Sequence, residues 1–228
     1  MSYTTILLDL DHTLFDTDAS EAAAFEQTMA TAGILDADRY LPAYQKINLE
    51  LWAAVERGEI SPNVIRNGRF ERFVAEQEID ADPVQMADDF VIGLGMNGDL
   101  YDGAYEVIEQ LSKRATLAMV TNGLGEVQRT RIDRLGIGDY FDAVAISAEV
   151  GASKPDVEIF DFAFRSLGQP AKETAVMVGD NLLADIRGGI NYGIATCWYN
   201  PHRHPFNGTD RSDHEIEDLK ELCELFAA

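Results

Sequence analysis

The sequence predicts an α/β protein: a doubly wound parallel sheet with helices on both faces, carrying an inserted α-helical block near its start. Beyond about residue 97, short apolar runs of strand length alternate with amphipathic runs of helix length. Between about 17 and 96, four helical patterns follow one another with no strand between them. Acidic and small polar residues gather where strands run out, which is where open parallel sheets bind ligands.

Taken in order, Thr4 to Leu8 reads as a buried strand ending at Asp9-Leu10-Asp11. His12 to Asp16 is too short for a helix and reads as a tight flap over that strand end. Ser20 looks like an N-cap for a helix from Glu21 to Ala32 that stops at Gly33. Asp38 opens a second helix, with Leu41, Tyr44, Asn48, Leu51 and Val55 on one stripe and Gly58 as its end. Ser61-Pro62 and Asp82-Pro83 pair a cap with proline at the first helical position, and open helices running to about Gln77 and Met96.

The alternating part then places helices over Gly103–Lys113, Glu126–Leu135, Pro155–Leu167 and Leu182–Tyr192. Strands are expected over Ala115–Thr121, Ala143–Ser147, Thr174–Gly179 and Ile194–Trp198. Asn200 to Ser212 reads as a polar surface loop, His202 and His204 included. A last helix over His214–Phe226 puts Ile216, Leu219, Leu222 and Phe226 on one face.

Composition narrows the class. Net charge of −22 and pI near 4.3 argue against binding a nucleic acid polymer through the general surface. A small phosphorylated substrate stays compatible, because a metal and a few basic groups can invert the field inside a cleft. No apolar run approaches the roughly 20 residues of a membrane helix, and no signal-type pattern opens the chain, so a soluble cytoplasmic protein is expected. Cys197 and Cys223 have no metal or redox spacing and read as small hydrophobes.

Four motifs sit at strand ends. Asp9 and Asp11 crowd the end of the first strand, and adjacent carboxylates repel unless a cation or proton compensates them. Asp180 and Asp185, in Gly179-Asp180-Asn181-Leu182-Leu183-Ala184-Asp185, bring further acids to another strand end. Together these acids suggest a Mg²⁺ site, since that ion prefers hard oxygen ligands. Thr121-Asn122-Gly123 offers a hydroxyl, an amide and a close-approach turn for phosphate oxygens, and Lys154-Pro155 places a cation before a helix start. Singly, each also reads as an ordinary turn, cap or surface lysine.

As an ordered set the motifs resemble the haloacid dehalogenase (HAD) superfamily over residues 1–16 and 97–228, its Rossmann-like catalytic core. The stretch 17–96 is similar to that superfamily's small helical cap. Leu51-Trp52, Gly58-Glu59-Ile60, Asn67-Gly68-Arg69-Phe70-Glu71, Gly188-Gly189-Ile190-Asn191 and Ala195-Thr196-Cys197-Trp198 further resemble bacterial pyrimidine 5'-nucleotidases of the YjjG type.

The resemblance implies a Mg²⁺-dependent phosphomonoester hydrolase with Asp9 as nucleophile, forming an aspartyl-phosphate. Asp11 would be the general acid and base, with a pKa raised by its neighbours. Mg²⁺ would sit on Asp9, the Asp11 backbone carbonyl and Asp180, with Asp185 a ligand directly or through water. Thr121, Asn122 and Lys154 would bind the phosphate, and Lys154 would offset the Asp9 charge. From the cap, Trp52, Asn67, Arg69 and Phe70 would select the substrate, expected to be a pyrimidine nucleoside or deoxynucleoside monophosphate. A sugar-phosphate or phosphoglycolate phosphatase is the alternative. A dehalogenase ranks lower because halide leaves without a proton and has no use for Asp11. A catalytically silent binding protein ranks lower because it needs neither nucleophile nor acid.

Overall fold

The computed structural model describes residues 3–206 and 211–226. Six strands, β1 (Thr5–Leu8), β2 (Thr116–Thr121), β3 (Ala143–Ile146), β4 (Ala175–Gly179), β5 (Ala195–Tyr199) and β6 (His214–Ile216), form one parallel sheet in the order β3-β2-β1-β4-β5-β6. β1 is central and fully buried, paired with β2 through Leu7 and Ala118 and with β4 through Leu7 and Met177. Its continuous apolar run is what a strand covered on both faces requires.

Successive side chains point to opposite faces. Ile6 and Leu8 therefore join one core with Val107, Ile108, Leu111, Leu222 and Phe226, while Leu7 joins the other with Ala118, Ile159, Phe160 and Phe164.

Ten helices are described: α1 (Thr17–Thr31), α2 (Ala37–Glu56), α3 (Pro62–Gln77), α4 (Pro83–Met96), α5 (Ala104–Ser112), α6 (Gly125–Leu135), α7 (Ser147–Val150), α8 (Val157–Ser166), α9 (Arg187–Tyr192) and α10 (Glu221–Leu225). Helices α1 to α4 pack around an aromatic core of Phe25, Tyr44, Phe70, Phe73 and Phe90. This helical lobe leaves and rejoins the sheet through neighbouring segments. Asp16 N donates to Asp99 O at 3.0 Å, Tyr101 N donates to Leu14 O at 2.9 Å, and Phe15 bridges Leu100. Gly98 fits between them at φ 81°, where a Cβ would lie 2.7 Å from the Phe15 ring.

Several sequence expectations are corrected. α1 is capped by Asp16, whose Oδ1 accepts from Ala19 N, while Ser20 is buried inside the helix and donates to Leu94 O. α2 starts at Ala37, so Asp38 lies in its first turn rather than capping it. α3 and α4 carry the predicted Ser61 and Asp82 caps, each followed by proline. Lys154-Pro155 does not open a helix: it follows α7 in a loop with a cis peptide, and α8 begins at Val157. The predicted last helix is split, because His214–Ile216 extends the sheet edge beside β5 and only Glu221–Leu225 is helical. Ile216 is buried in either arrangement, so the apolar stripe did not separate them. In the predicted Asn200–Ser212 loop, residues 207–210 lie outside the described residues, and His202 and His204 are exposed. Cys197 is buried in β5 with its thiol pushed up to about 12 by burial, which keeps it unreactive.

Candidate active site

The carboxyl ends of β1, β2 and β4 open into a cleft of about 430 Å³ beneath the helical lobe. Asp9 leaves β1 with its side chain 7% exposed, and the Lys154 ammonium lies 2.5 Å from its Oδ1. The same ammonium lies 2.6 Å from Asp185 Oδ1. Burial works against the Lys154 charge, but the two carboxylates outweigh it and raise its pKa. Burial and the neighbouring Asp185 and Asp11 charges push Asp9 up to about 7, although Lys154 pulls the other way. Asp180 is raised as well, by burial and by Asp185 and Asp9.

Local structure explains how the acids are held. Asn181 accepts from Leu183 N and Ala184 N, capping a π-helical turn over Leu182–Ile186 that brings Asp185 back against the strand end. Asp185 Oδ2 accepts from Asn181 N at 3.0 Å. Gly179 makes this possible, since a Cβ there would lie 2.2 Å from Asp185 Cγ. Gly179→Ala is expected to displace Asp185 from Lys154, cost roughly 1–3 kcal/mol of stability as overpacking does, and depress turnover. A thermal melt and a phosphate-release assay check this.

Asp9, Asp180 and Asp185 each present a carboxylate oxygen within 4.8 Å of the others. Three hard anionic donors surround one ammonium that contacts two of them, Asp9 and Asp185, and burial together with their mutual repulsion raises Asp9 and Asp180, so this set fits Mg²⁺. Both Asp185 oxygens already accept protein donors, as do both Asp9 oxygens, so an ion would have to share Asp9 with those donors and lean on Asp180. Thr13, which the sequence reading passed over, is fully buried between them. Its hydroxyl donates to Asp9 Oδ2 at 3.2 Å and accepts from Asp180 N at 3.1 Å.

In the Thr121-Asn122-Gly123 turn the Asn122 side chain is committed within the protein. The Asn122 side chain clamps the Lys154 backbone, donating to its carbonyl at 3.0 Å and accepting from its N–H at 2.8 Å. Gly123 N donates to Ser147 Oγ. The glycine instead leaves room for Gln128, whose Nε2 would lie 2.6 Å from an added Cβ.

Asp11 overturns the expectation of a raised pKa. Burial pushes it up, but Arg131, Thr17, His12 and Gln128 outweigh burial and hold it below the usual carboxylate range. Arg131 Nη1 lies 2.6 Å from Oδ1, and Gln128 Nε2 lies 2.5 Å from Oδ2. Neither residue is singled out in the sequence, where Glu126–Leu135 reads only as a helix. The available signal was that they fall at 128 and 131, inside the buried stripe of Val127 and Ile132.

From the lobe, Trp52 and Arg69 line the cleft, together with Glu21, Asn48 and Glu56. Glu56 accepts from Asn181 Nδ2 at 2.8 Å, tying α2 to the sheet end. Asn67 and Phe70 are not lining residues. Phe70 is buried against Tyr44 and Phe90, and Asn67 accepts from Arg66.

A carboxylate braced by a buried lysine, an acid two residues on and a further acid pair stand together at the ends of parallel strands below a helical lobe, an arrangement suited to hydrolase chemistry. The chain belongs to the haloacid dehalogenase-like hydrolases, whose family model matches residues 3–193, and it is an enzyme of the phosphatase type. It is 33% identical to the pyrimidine 5'-nucleotidase PynA of Streptococcus pneumoniae, over 98% of this chain and 95% of that protein. It is also 33% identical to the pyrimidine 5'-nucleotidase YjjG of Escherichia coli, over 98% and 99%. The solved structure of the HAD-hydrolase YfnB from Bacillus subtilis, bound to magnesium and described as revealing interdomain movement, superposes with a TM-score of 0.91 at 31% identity and covers both chains fully. Among the described residues no helix is long and apolar enough to cross a membrane.

Proposed function

We propose that this phosphatase is a Mg²⁺-dependent 5'-nucleotidase for pyrimidine nucleoside and deoxynucleoside monophosphates, acting through an aspartyl-phosphate on Asp9. The observation that carries the chemistry is the buried Asp9–Lys154–Asp185 chain, which opens into the same cleft as Trp52 and Arg69. The near full-length likeness to two pyrimidine 5'-nucleotidases supports the base.

In this reading an Asp9 carboxylate oxygen attacks phosphorus and the bond to the nucleoside 5'-oxygen breaks. Phosphate charge entering the cleft favours the protonated form of Asp11 that Arg131 and Gln128 disfavour; Asp11 gives that oxygen its proton, then takes one from the water that splits the aspartyl-phosphate. Lys154, the Thr121 hydroxyl and the Asn122 backbone bind the non-bridging oxygens. Asp9, the Asp11 carbonyl and Asp180 would hold Mg²⁺, with Asp185 acting through water. When bound, the ion offsets the negative charge shared by phosphate and carboxylates.

The lobe over residues 17–96 acts as a cap that excludes water and selects the leaving group. Trp52 offers a stacking face and Arg69 a cation to the nucleoside. Arg69 is only 2% exposed, with Nε on Ile65 O and Nη1 on the Tyr44 hydroxyl.

The test is phosphate release from nucleoside, deoxynucleoside and sugar monophosphates, with Mg²⁺ and with chelator. Metal-dependent release concentrated on UMP, dUMP and dTMP supports the proposal, and release concentrated on sugar phosphates replaces the substrate while keeping the mechanism. Asp11→Asn is expected to slow nucleotide hydrolysis by about 10²–10⁴-fold, the usual share of general acid catalysis. Wild-type rates in the purified variant would remove Asp11 from this role.

A further inference from the structure

Arg131 is a buried cation that the reaction as derived leaves without a task. It stands on α6, yet its guanidinium serves three other parts of the molecule. Nη1 donates to Asp11 Oδ1 at 2.6 Å, Nε donates to Leu94 O at 3.0 Å, and Nη2 donates to Ser20 Oγ at 3.2 Å. Its face lies 4.3 Å from the centre of the Phe15 ring. The side chain is 3% exposed, and a guanidinium is buried at considerable cost unless its donors are used. Planar, forked donors suit such a junction, where a lysine would reach one partner at a time.

The two oxygens of Asp11 are held unequally. Oδ1 accepts from Arg131 and, at 2.8 Å, from the Thr17 hydroxyl. Oδ2 accepts from Gln128 and has a long 3.4 Å contact with the Thr121 hydroxyl. Thr121 is one of the groups assigned above to phosphate. A phosphoryl oxygen that engages the Thr121 hydroxyl therefore removes the weakest of the four donors, and leaves Oδ2 with Gln128 alone while Oδ1 keeps two.

We propose that Arg131 is a positioning residue: with Thr17 it pins Asp11 by Oδ1 and so leaves Oδ2 as the oxygen that meets the leaving group. Leu94 and Ser20, on the two helices nearest the crossing between lobe and sheet, fix Arg131 in turn. This assignment rests on Asp11 acting as the acid, and it deepens that reading without depending on the base.

The experiment measures kcat/KM for a series of alkyl and aryl phosphate monoesters with wild-type, Arg131→Met and Thr17→Val enzymes. A poor alkoxide leaving group needs its proton in the transition state and p-nitrophenolate does not. Arg131→Met is expected to lose roughly 100-fold on alkyl esters and less than about 5-fold on p-nitrophenyl phosphate, within the range of general acid contributions. Thr17→Val, which removes the second Oδ1 donor without emptying a buried ion pair, is expected to show the same trend at roughly 10-fold. It keeps the test alive if Arg131→Met fails to fold.

An equal loss across the series in both variants would show a structural role and overturn the assignment, as would no loss in either. A wild-type enzyme inactive on every ester overturns the function reading and this assignment together. Equal losses in an active wild-type background would defeat this assignment alone.

Discussion

Replacing Asp9 by asparagine is expected to abolish phosphate release, by at least about 10⁴-fold, while leaving the protein folded. An amide has the shape of the carboxylate but not its nucleophilic oxygen, and no other group takes its place between Lys154 and Thr13. Stability should hold or rise. Lys154 keeps Asp185 as its counter-ion, and three crowded carboxylates become two. Phosphate release and a thermal melt on the same preparation check both halves. Turnover at the wild-type rate would end the case for Asp9 as nucleophile, and a collapsed melt would show that its charge is needed by the fold.

The second large effect is expected at Lys154, and there it falls on stability as well as rate. Lys154→Met removes the ammonium that lies against both Asp9 and Asp185, two side chains that are 7% and 1% exposed. Breaking a buried pair by removing one partner costs about 3–5 kcal/mol. For a chain of this size that corresponds to a melting temperature lower by roughly 6–20 °C.

The pH dependence has a definite sign. Burial already raises Asp9 against the pull of Lys154, so without that cation its folded pKa lies further above its unfolded one, and it destabilises above the unfolded value, increasingly up to the folded value and by a constant amount beyond. The deficit against wild type should therefore narrow as pH falls from about 8 to about 5. A deficit independent of pH would mean that Lys154 acts through packing rather than charge.

How much of this was legible in the sequence follows from which signals are local. The strands were legible because a strand covered on both faces must be apolar throughout, as Thr5–Leu8 and Ala175–Gly179 are. The positions of Asp9, Thr121 and Asp180 followed, since each ends or adjoins such a run. Helix caps were legible where proline reinforced them, at Ser61 and Asp82. They failed at Ser20 and Asp38, where another acid a few residues earlier, Asp16 or Asp36, stands at the helix start.

What the sequence hid are the partners. No spacing rule connects Asp11 to Arg131, 120 residues away, yet that contact reverses the expected direction of the Asp11 pKa. Nor does any local pattern show that the Asn122 amide is committed to the Lys154 backbone. Phe70 illustrates the opposite error, a residue whose motif suggested substrate contact while its aromatic neighbours take its whole surface.

The zipped crossing between lobe and sheet has a consequence for how such a chain can be rebuilt. The outgoing segment at Leu14–Asp16 and the returning one at Asp99–Tyr101 are hydrogen-bonded to each other, with Gly98 wedged beside Phe15. A segment whose two ends meet in this way joins its host at one seam, but Thr17, Ser20, Leu94 and Glu56 also bond Asp11, Arg131 and Asn181 of that host. A cassette exchanged at that seam has to bring those contacts with it, since part of what holds Asp11 comes from the lobe.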